Sequence, residues 1–174
     1  MELNPTSYVI LGMLGMHPMC GYEIKAFVDK STRFFWAASY GQIYPELRRL
    51  TEAGLIEGEA DADSSRRRIE FSLTAAGRAE LGRWLAAPSE VQEMRDENLL
   101  KLFFSDAGGP EAGRAALEAK AARHREEAAE LRRIESAAGG HQDMRPGPAA
   151  TLRFGIAFND FIADWCEKEA KEER

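Results

Sequence analysis

The chain has 174 residues, of which 44% are hydrophobic and 30% are charged, and this composition excludes a disordered or fibrous protein. Its formal net charge of −6 excludes an argument for nucleic-acid binding from overall basicity, so such an argument has to come from a local surface. The longest apolar segment, residues 8–16, is shorter than the run of about 18 residues that a membrane span needs. The two cysteines, Cys20 and Cys166, do not make a disulfide framework. We therefore expect a cytoplasmic protein with reduced thiols and no membrane contact.

Two helices are predicted in the first 30 residues. Thr6 or Ser7 can cap a first helix that runs to about Met16, where Pro18 ends it. A second helix fits residues 21–30, because apolar side chains recur there at helical spacing. These are Ile24, Phe27 and Val28.

A third helix is predicted over residues 40–53. Ser39 stands three residues before Gln42, which is the spacing of a capping box, and Gly54 supplies the C-terminal stop. Three apolar residues at positions i, i+4 and i+7 are expected to point inward, namely Ile43, Leu47 and Leu50.

The period then changes from helical to alternating. Residues 55–56 open one short strand, and Ile69, Phe71 and Leu73 alternate in a second one. Residues 61–65 between them have the composition of a turn, so a two-stranded β-hairpin is predicted. Thr74 caps a fourth helix that reaches about residue 86, and its inward residues are expected to be Leu81, Trp84 and Leu85.

The second half of the chain is predicted to be helical throughout. Residues 93–104 end in a segment that is apolar nearly all round, which indicates deep burial. A long helix follows over residues 110–138, with Leu117, Ala121, Ala128 and Leu131 spaced as a packing seam, and a last helix covers residues 149–172. The last helix carries an aromatic stripe, which we define as Phe154, Phe158, Phe161, Ile162 and Trp165. Because such a stripe is not stable in water, a partner surface and a homodimer are expected.

The charged residues are distributed unevenly between the two halves of the chain. Residues 1–88 carry ten basic and eleven acidic side chains, whereas residues 89–174 carry 13 and 18. Inside the first half, residues 64–83 hold five arginines against two glutamates, which makes a local basic segment. We therefore predict two domains, 1–88 and 89–174.

Three helices, a hairpin and a fourth helix form the order of a winged helix-turn-helix module. The predicted fold is mainly α, with a two-stranded hairpin wing and a C-terminal helical dimerisation region. In such a module the third helix enters the major groove of double-stranded DNA, and the hairpin contacts a neighbouring groove or the backbone. With the apolar residues turned inward, the opposite side of the third helix presents polar and basic groups. Those assigned to DNA are Gln42, Tyr44, Pro45, Arg48 and Arg49 from the helix, and Arg66, Arg67 and Arg68 from the hairpin.

Each of these groups has a possible role and an ordinary alternative. Gln42 can donate to and accept from an adenine edge, but it can also serve only as the capping partner of Ser39. Tyr44 can reach a phosphate or be half-buried packing. The arginine run can bind phosphates, or it can be a solvated strand edge that prevents aggregation.

The sequence resembles the PadR family of transcriptional regulators. The resemblance rests on the segments at 8–14, 21–25, 35–36 and 54–56, on Ser-Tyr-Gly-Gln-Ile-Tyr-Pro-Glu-Leu-Arg-Arg-Leu at 39–50, and on Arg-Ile-Glu-Phe-Ser-Leu-Thr at 68–74 with Gly77. It covers residues 6–87, and the second half is similar to longer PadR-like proteins. Tyr40 departs from the family pattern, which often has a smaller or basic residue there, and we assign it to DNA as well.

The resemblance implies a homodimeric repressor that binds a palindromic operator and leaves it when a small, often aromatic, effector binds near the junction of the two regions. Large aromatic residues near that junction are the candidates for effector binding, namely Trp36, Trp84, Phe103, Phe104 and Trp165. The alternative is a winged-helix protein-interaction module without DNA binding, which the acidic net charge favours.

Other chemistry finds little support in the sequence. His17 and Cys20 are three residues apart, but no third ligand is near, so no metal site is predicted. His124 falls in the packing seam, where a packed or partly exposed side chain is expected. The sequence shows no nucleophile triad, phosphate loop or paired catalytic carboxylates, so neither an enzyme nor a cofactor is predicted.

Overall fold

The computed structural model of the protein describes residues 3–60, 68–89, 95–108 and 110–172. The chain forms two compact units, residues 1–90 and 91–174, and the boundary predicted at residue 88 lies close to this division. None of the described helices is long and apolar enough to cross a membrane.

The described residues of unit 1 form four α-helices and three strands. In chain order they are α1 (Pro5–Leu14), β1 (Met19–Cys20), α2 (Gly21–Lys30), α3 (Tyr40–Glu52), β2 (Ile56–Ala60), β3 (Ile69–Leu73) and α4 (Ala75–Ala86), with a 3-10 turn at Thr32–Phe34. The strands form an antiparallel sheet in the order β1-β3-β2, in which Gly58 is opposite Phe71. The predicted hairpin is therefore present, but it has a third strand that the sequence analysis missed. Two residues after Pro18 are too few to show an alternating pattern.

The helix ends in unit 1 follow local capping rules. Asn4 caps α1, because its Oδ1 accepts from the Ser7 N–H at 3.0 Å, while the Ser7 Oγ accepts from the Asn4 N–H. The predicted cap at Thr6 or Ser7 is thus wrong by one turn, since Pro5 is already the first helical residue. Gly54 ends α3 with a φ of +67°, a backbone conformation that suits glycine.

A single hydrophobic core holds unit 1 together. It consists of large aliphatic side chains from α1, α2, α3 and the sheet, among them Ile10, Leu11, Ile24, Val28, Ile43, Leu47, Leu50 and Ile56, all at most 1% exposed. The inward prediction for Trp84 and Leu85 is wrong, because these side chains are 46% and 68% exposed. On α4 the buried position is Gly77, where an added Cβ would meet the Leu55 carbonyl oxygen at 2.0 Å.

In the part of unit 2 that the structure describes, the α-helices are α5 (Glu97–Phe103), α6 (Pro110–Ala137) and α7 (Pro146–Glu172). The seam predicted on α6 is confirmed, because its four residues are at most 4% exposed. On α7 the buried residues are mostly small, namely Ala149, Leu152, Asn159, Ala163, Cys166 and Ala170. The deep burial predicted for residues 93–104 is wrong for the part that the structure describes, since Leu100, Phe103 and Phe104 are 58%, 79% and 60% exposed. A segment that is apolar all round favours burial, but the pattern does not show whether its own chain or another molecule buries it.

Candidate nucleic-acid interface

Helix α3 turns one polar side away from the core of unit 1. Ile43, Glu46, Leu47 and Leu50 are buried, whereas the opposite side is exposed. We call the exposed side the outer face of α3 and define it as Tyr40, Gln42, Tyr44, Pro45 and Arg48. The predicted orientation of the helix is therefore observed.

The first turn of α3 is closed by the predicted capping box. The Ser39 N–H donates to Oε1 of Gln42 at 2.9 Å, and the Ser39 hydroxyl donates to the same oxygen at 3.1 Å. Gln42 therefore has a structural role in the cap, while its side chain remains exposed on the outer face.

Two tyrosines form an aromatic surface beside Gln42. The rings of Tyr40 and Tyr44 stack with centroids 6.1 Å apart, and the Lys25 ammonium lies 5.3 Å from the Tyr40 centroid. An added Cβ at Gly21 would lie 2.9 Å from the Tyr44 ring, so that ring packs closely against the start of α2. Tyr44 is nevertheless 48% exposed, so it combines packing with an accessible edge.

The basic residues near α3 differ in their intramolecular partners. Nη1 of Arg49 donates to Oε2 of Glu46 at 2.7 Å, and Arg68 at the start of β3 forms an ion pair with Glu23 of α2. Arg48 is exposed and forms no ion pair with any residue that the structure describes. Its charge is thus the most available on the outer face.

Glu23 fixes the start of the wing to α2. One of its oxygens accepts from the Cys20 N–H at 2.9 Å, and the other accepts from Arg68. These hydrogen bonds hold the pKa of the Glu23 carboxyl below its usual range. Arg68 therefore has a positioning role that the sequence analysis did not foresee, and Arg66 and Arg67 lie outside the described residues.

A buried carboxylate in α3 was also missed. Glu46 is 4% exposed, and it accepts from the Ser7 hydroxyl at 2.5 Å and from the Asn4 amide at 3.2 Å, in addition to Arg49. It thereby ties α3 to the first turn of α1. The signal was present in the sequence, because 43, 46, 47 and 50 share one helical face and only 46 is charged.

The five residues assigned to an effector are distributed over both units. In unit 1, Trp84 stacks on Tyr8 with centroids 4.5 Å apart, and Trp36 is 36% exposed. In unit 2, Phe103 meets Phe104 edge to face at 5.0 Å, while Trp165 is partly buried beside Leu117 and Cys166. Each has an exposed or partly exposed ring, and their role stays a prediction.

The histidines and cysteines have ordinary surroundings. His124 is 7% exposed, with Nδ1 at 2.6 Å from Oδ1 of Asn159, so it is the packed residue expected from its place in the seam. Burial raises the pKa of the Cys166 thiol, which makes it a poor nucleophile. Among the described residues, no three histidine, cysteine or acidic side chains come together as metal ligands.

Segments in both halves of the chain match known protein families. Residues 10–83 match the Transcriptional regulator PadR-like family, and residues 94–172 match the family Virulence activator alpha C-term. The chain is 34% identical over 99 residues to the Negative transcriptional regulator PadR of Bacillus subtilis, a match that spans 56% of this chain and 54% of that protein. The chain therefore aligns with about half of the length of that curated relative.

Solved structures show the same fold over nearly the entire chain. Bacillus subtilis PadR in complex with operator DNA has a TM-score of 0.88 and 22% identity, with all of both chains covered. The same protein in complex with p-coumaric acid has a TM-score of 0.81 and 24% identity, covering 95% of this chain and 96% of that chain. The Vibrio cholerae virulence activator AphA has a TM-score of 0.77 and 27% identity, covering 96% of each chain. The winged-helix fold with a C-terminal helical region is thus confirmed.

Proposed function

Because the chain belongs to the PadR-like family of transcriptional regulators, we propose that it is a repressor that binds a pseudo-palindromic operator as a homodimer and leaves it when a small aromatic effector binds. This family consists of regulators and not of enzymes, in agreement with the sequence analysis. The observation that carries the proposal is the outer face of α3, which unit 1 leaves exposed although it is rich in groups that suit a major groove.

The outer face supports two kinds of DNA contact. Arg48 can donate to guanine or phosphate, and Tyr40 and Tyr44 offer hydroxyl groups to the backbone and apolar rings to a thymine methyl. Pro45 adds a further apolar contact. Arg49 and the wing arginines Arg66, Arg67 and Arg68 are proposed to act on phosphates, which set the position of the protein without reading sequence.

The surface of unit 2 supports the homodimer. Phe154, Phe158 and Phe161 of the aromatic stripe are 68%, 46% and 64% exposed, in addition to the exposed apolar residues of α5. Burial of each such side chain is worth about 1.5–3 kcal/mol, so a second copy gains much by covering them. A two-fold dimer places its two α3 helices about 34 Å apart, one turn of DNA, so we expect half-site centres about 10 bp apart or a multiple of that.

The proposed effector is a small aromatic molecule. Its candidate residues are Trp36, Trp84, Phe103, Phe104 and Trp165, whose rings favour an aromatic molecule. One structural neighbour, Bacillus subtilis PadR, was solved in complex with p-coumaric acid, a small aromatic acid, which is consistent with that class of ligand. An effector of this kind changes DNA affinity only if it binds the two dimer geometries with different affinity.

One experiment tests the DNA-binding part directly. A pool of random DNA fragments is selected on the wild-type protein, and the affinity for an enriched fragment is then measured from low to high salt. A protein that neutralises several phosphates loses affinity steeply with salt, and the double variant Arg48→Ala with Arg67→Ala loses retardation of the fragment while it stays dimeric. The matched control removes two arginines of α4, Arg78 and Arg83, and retains binding.

A protein-interaction module is the second candidate function. It is favoured by the net charge of −6 and by the pairing of Arg49 and Arg68 with internal carboxylates, which lowers the positive charge available to DNA. Unchanged DNA affinity in the Arg48 and Arg67 double variant favours this candidate. A footprint over a single half-site contradicts the palindromic operator, and a rise of transcription with added protein contradicts repression.

A further inference from the structure

The amide group of Gln42 is oriented by the cap of α3. The Ser39 N–H is a donor and cannot accept, so the atom of Gln42 that lies 2.9 Å from it has to be the oxygen Oε1. The Ser39 hydroxyl lies 3.1 Å from the same oxygen. Nε2 is therefore the atom that points away from the cap.

This orientation leaves Gln42 with donors only. An amide oxygen has two lone pairs, and the two Ser39 groups occupy both of them. Nε2 carries two hydrogen atoms and donates no hydrogen bond within the described part of the chain, on a side chain that is exposed. Gln42 can therefore donate hydrogen bonds to a ligand, but its amide oxygen is not available to accept them.

The bases differ in the hydrogen-bonding groups that they offer to such a donor in the major groove. Guanine offers two adjacent acceptors, N7 and O6, whereas cytosine offers the N4 amino donor. Adenine pairs with glutamine through N7 and N6 together, and this contact needs Oε1 as the acceptor from N6. The bidentate adenine contact considered for a free amide therefore conflicts with the capping box.

We propose that Gln42 is a specificity-determining residue that donates through Nε2 to the acceptor edge of a guanine in each operator half-site. The inference rests on the proposed function, since it requires α3 to lie in a major groove. It goes beyond that function because it names the base and the atoms that select it.

Gln42→Glu separates the role in the cap from the role in recognition. A glutamate keeps the capping box, because a carboxylate oxygen accepts from Ser39 as the amide oxygen does, and a negative charge is favourable in the first turn of a helix. The same substitution replaces the outward donor by an acceptor, which pairs with the N4 amino group of cytosine. We expect the melting temperature of the Gln42→Glu protein, measured by circular dichroism, to equal or exceed that of the wild type.

The test is a selection of random DNA on the full-length wild-type and Gln42→Glu proteins in parallel. We expect a guanine in each half-site of the wild-type motif. We expect the variant to lose the preference for that guanine by about tenfold or more and to enrich cytosine there. Arg78→Gln on α4 changes the net charge by the same amount as Gln42→Glu, and we expect this control to keep the preference for guanine. Gln42→Met keeps the length of the side chain, and we expect this variant to lose the preference for guanine without gaining a preference for cytosine.

The outcomes separate the inference from its premise. If Gln42→Glu binds more weakly but prefers the same bases at every position, Gln42 is a capping residue or a phosphate contact and the inference is wrong. An adenine in the wild-type motif at the position that responds to Gln42 overturns it as well. If the wild-type protein enriches no motif, the proposed function fails first and the inference fails with it.

Discussion

The two units of the chain bury different kinds of side chain. Unit 1 encloses its large aliphatic residues in one core, and Ile10, Ile24, Leu47 and Leu50 are at most 1% exposed. In unit 2 the residues that α7 buries are mostly small. Three phenylalanines of the aromatic stripe on α7 remain largely exposed. Unit 1 thus has a closed aliphatic core, although Phe35, Trp84 and Leu85 stay exposed, whereas unit 2 leaves three phenylalanines of one helix exposed.

Ion pairs also connect α6 and α7 of unit 2. Arg125 of α6 forms ion pairs with Asp164 and Glu167 of α7, and its hydrogen bond to Glu167 lowers the pKa of the Glu167 carboxyl. Exposed pairs of this kind contribute only about 0–1 kcal/mol each, so they set the register of the two helices more than their stability. The exposed aromatic stripe of unit 2 is a surface that the proposed homodimer would cover.

Leu47→Ala is expected to have the largest effect. It opens a cavity in the closed core of unit 1, and substitutions of this kind cost about 2–5 kcal/mol of the free energy of unfolding. Because Leu47 is buried within its own unit, we expect the same loss in urea unfolding at low and at high protein concentration. Leu85→Ala, on an exposed side chain of α4, is the control and costs less than about 0.5 kcal/mol. Equal losses for the two variants contradict a core that is closed within unit 1.

Phe158→Asp tests the open surface of unit 2. A carboxylate in the aromatic stripe is unfavourable when a second copy covers it, so we expect the dimer dissociation constant to rise at least about 100-fold, or about 2.7 kcal/mol. Sedimentation equilibrium measures this change. Arg153→Asp places the same charge about 140° away around α7 and serves as the control. A Phe158→Asp protein that stays as dimeric as the control contradicts association through the stripe.

The same contrast explains which features the sequence predicted. The bounds of α2 and α6, the capping box of α3 and the inward residues of α3 were predictable, because each depends on residues within one turn or one helix. The partner of Arg68 was not, since Glu23 lies 45 residues away in the chain. Hydrophobic patterning located the apolar surfaces of α4, α5 and α7, but it cannot tell a surface covered by its own chain from one left exposed.

Asp96→Asn examines the polar part of unit 2. Asp96 forms an ion pair with Lys120, which is only 6% exposed, and this hydrogen bond is the main reason why the pKa of the Asp96 carboxyl is lower than usual. An asparagine still caps α5 through its side-chain oxygen, so the substitution isolates the loss of the charge. We expect a loss of about 2–4 kcal/mol at neutral pH, because a buried ammonium group loses its partner.

The pH dependence gives this variant a second readout. A lowered folded-state pKa stabilises the protein above the usual value near 4, and that contribution is lost as the pH falls through the lower folded value. The stability of the wild type therefore approaches that of Asp96→Asn in acid, as measured by chemical unfolding at a series of pH values. Asp96→Asn combined with Lys120→Met recovers much of the loss, and a constant difference between wild type and variant at every pH contradicts the role of the pair.

Ser7→Ala is expected to have the smallest effect, and it tests whether unit 1 also depends on a buried polar link. The hydroxyl of Ser7 donates to Glu46 and accepts from the Asn4 N–H, so its removal leaves one oxygen of a buried carboxylate without that donor. We expect a loss of about 1–2 kcal/mol in the free energy of unfolding, less than for Leu47→Ala, because Asn4 and Arg49 still donate to the other oxygen. Thr6→Ala on the same turn is the control. If the two variants unfold alike, the apolar core alone holds α3 against α1, and the contrast between the units becomes sharper still.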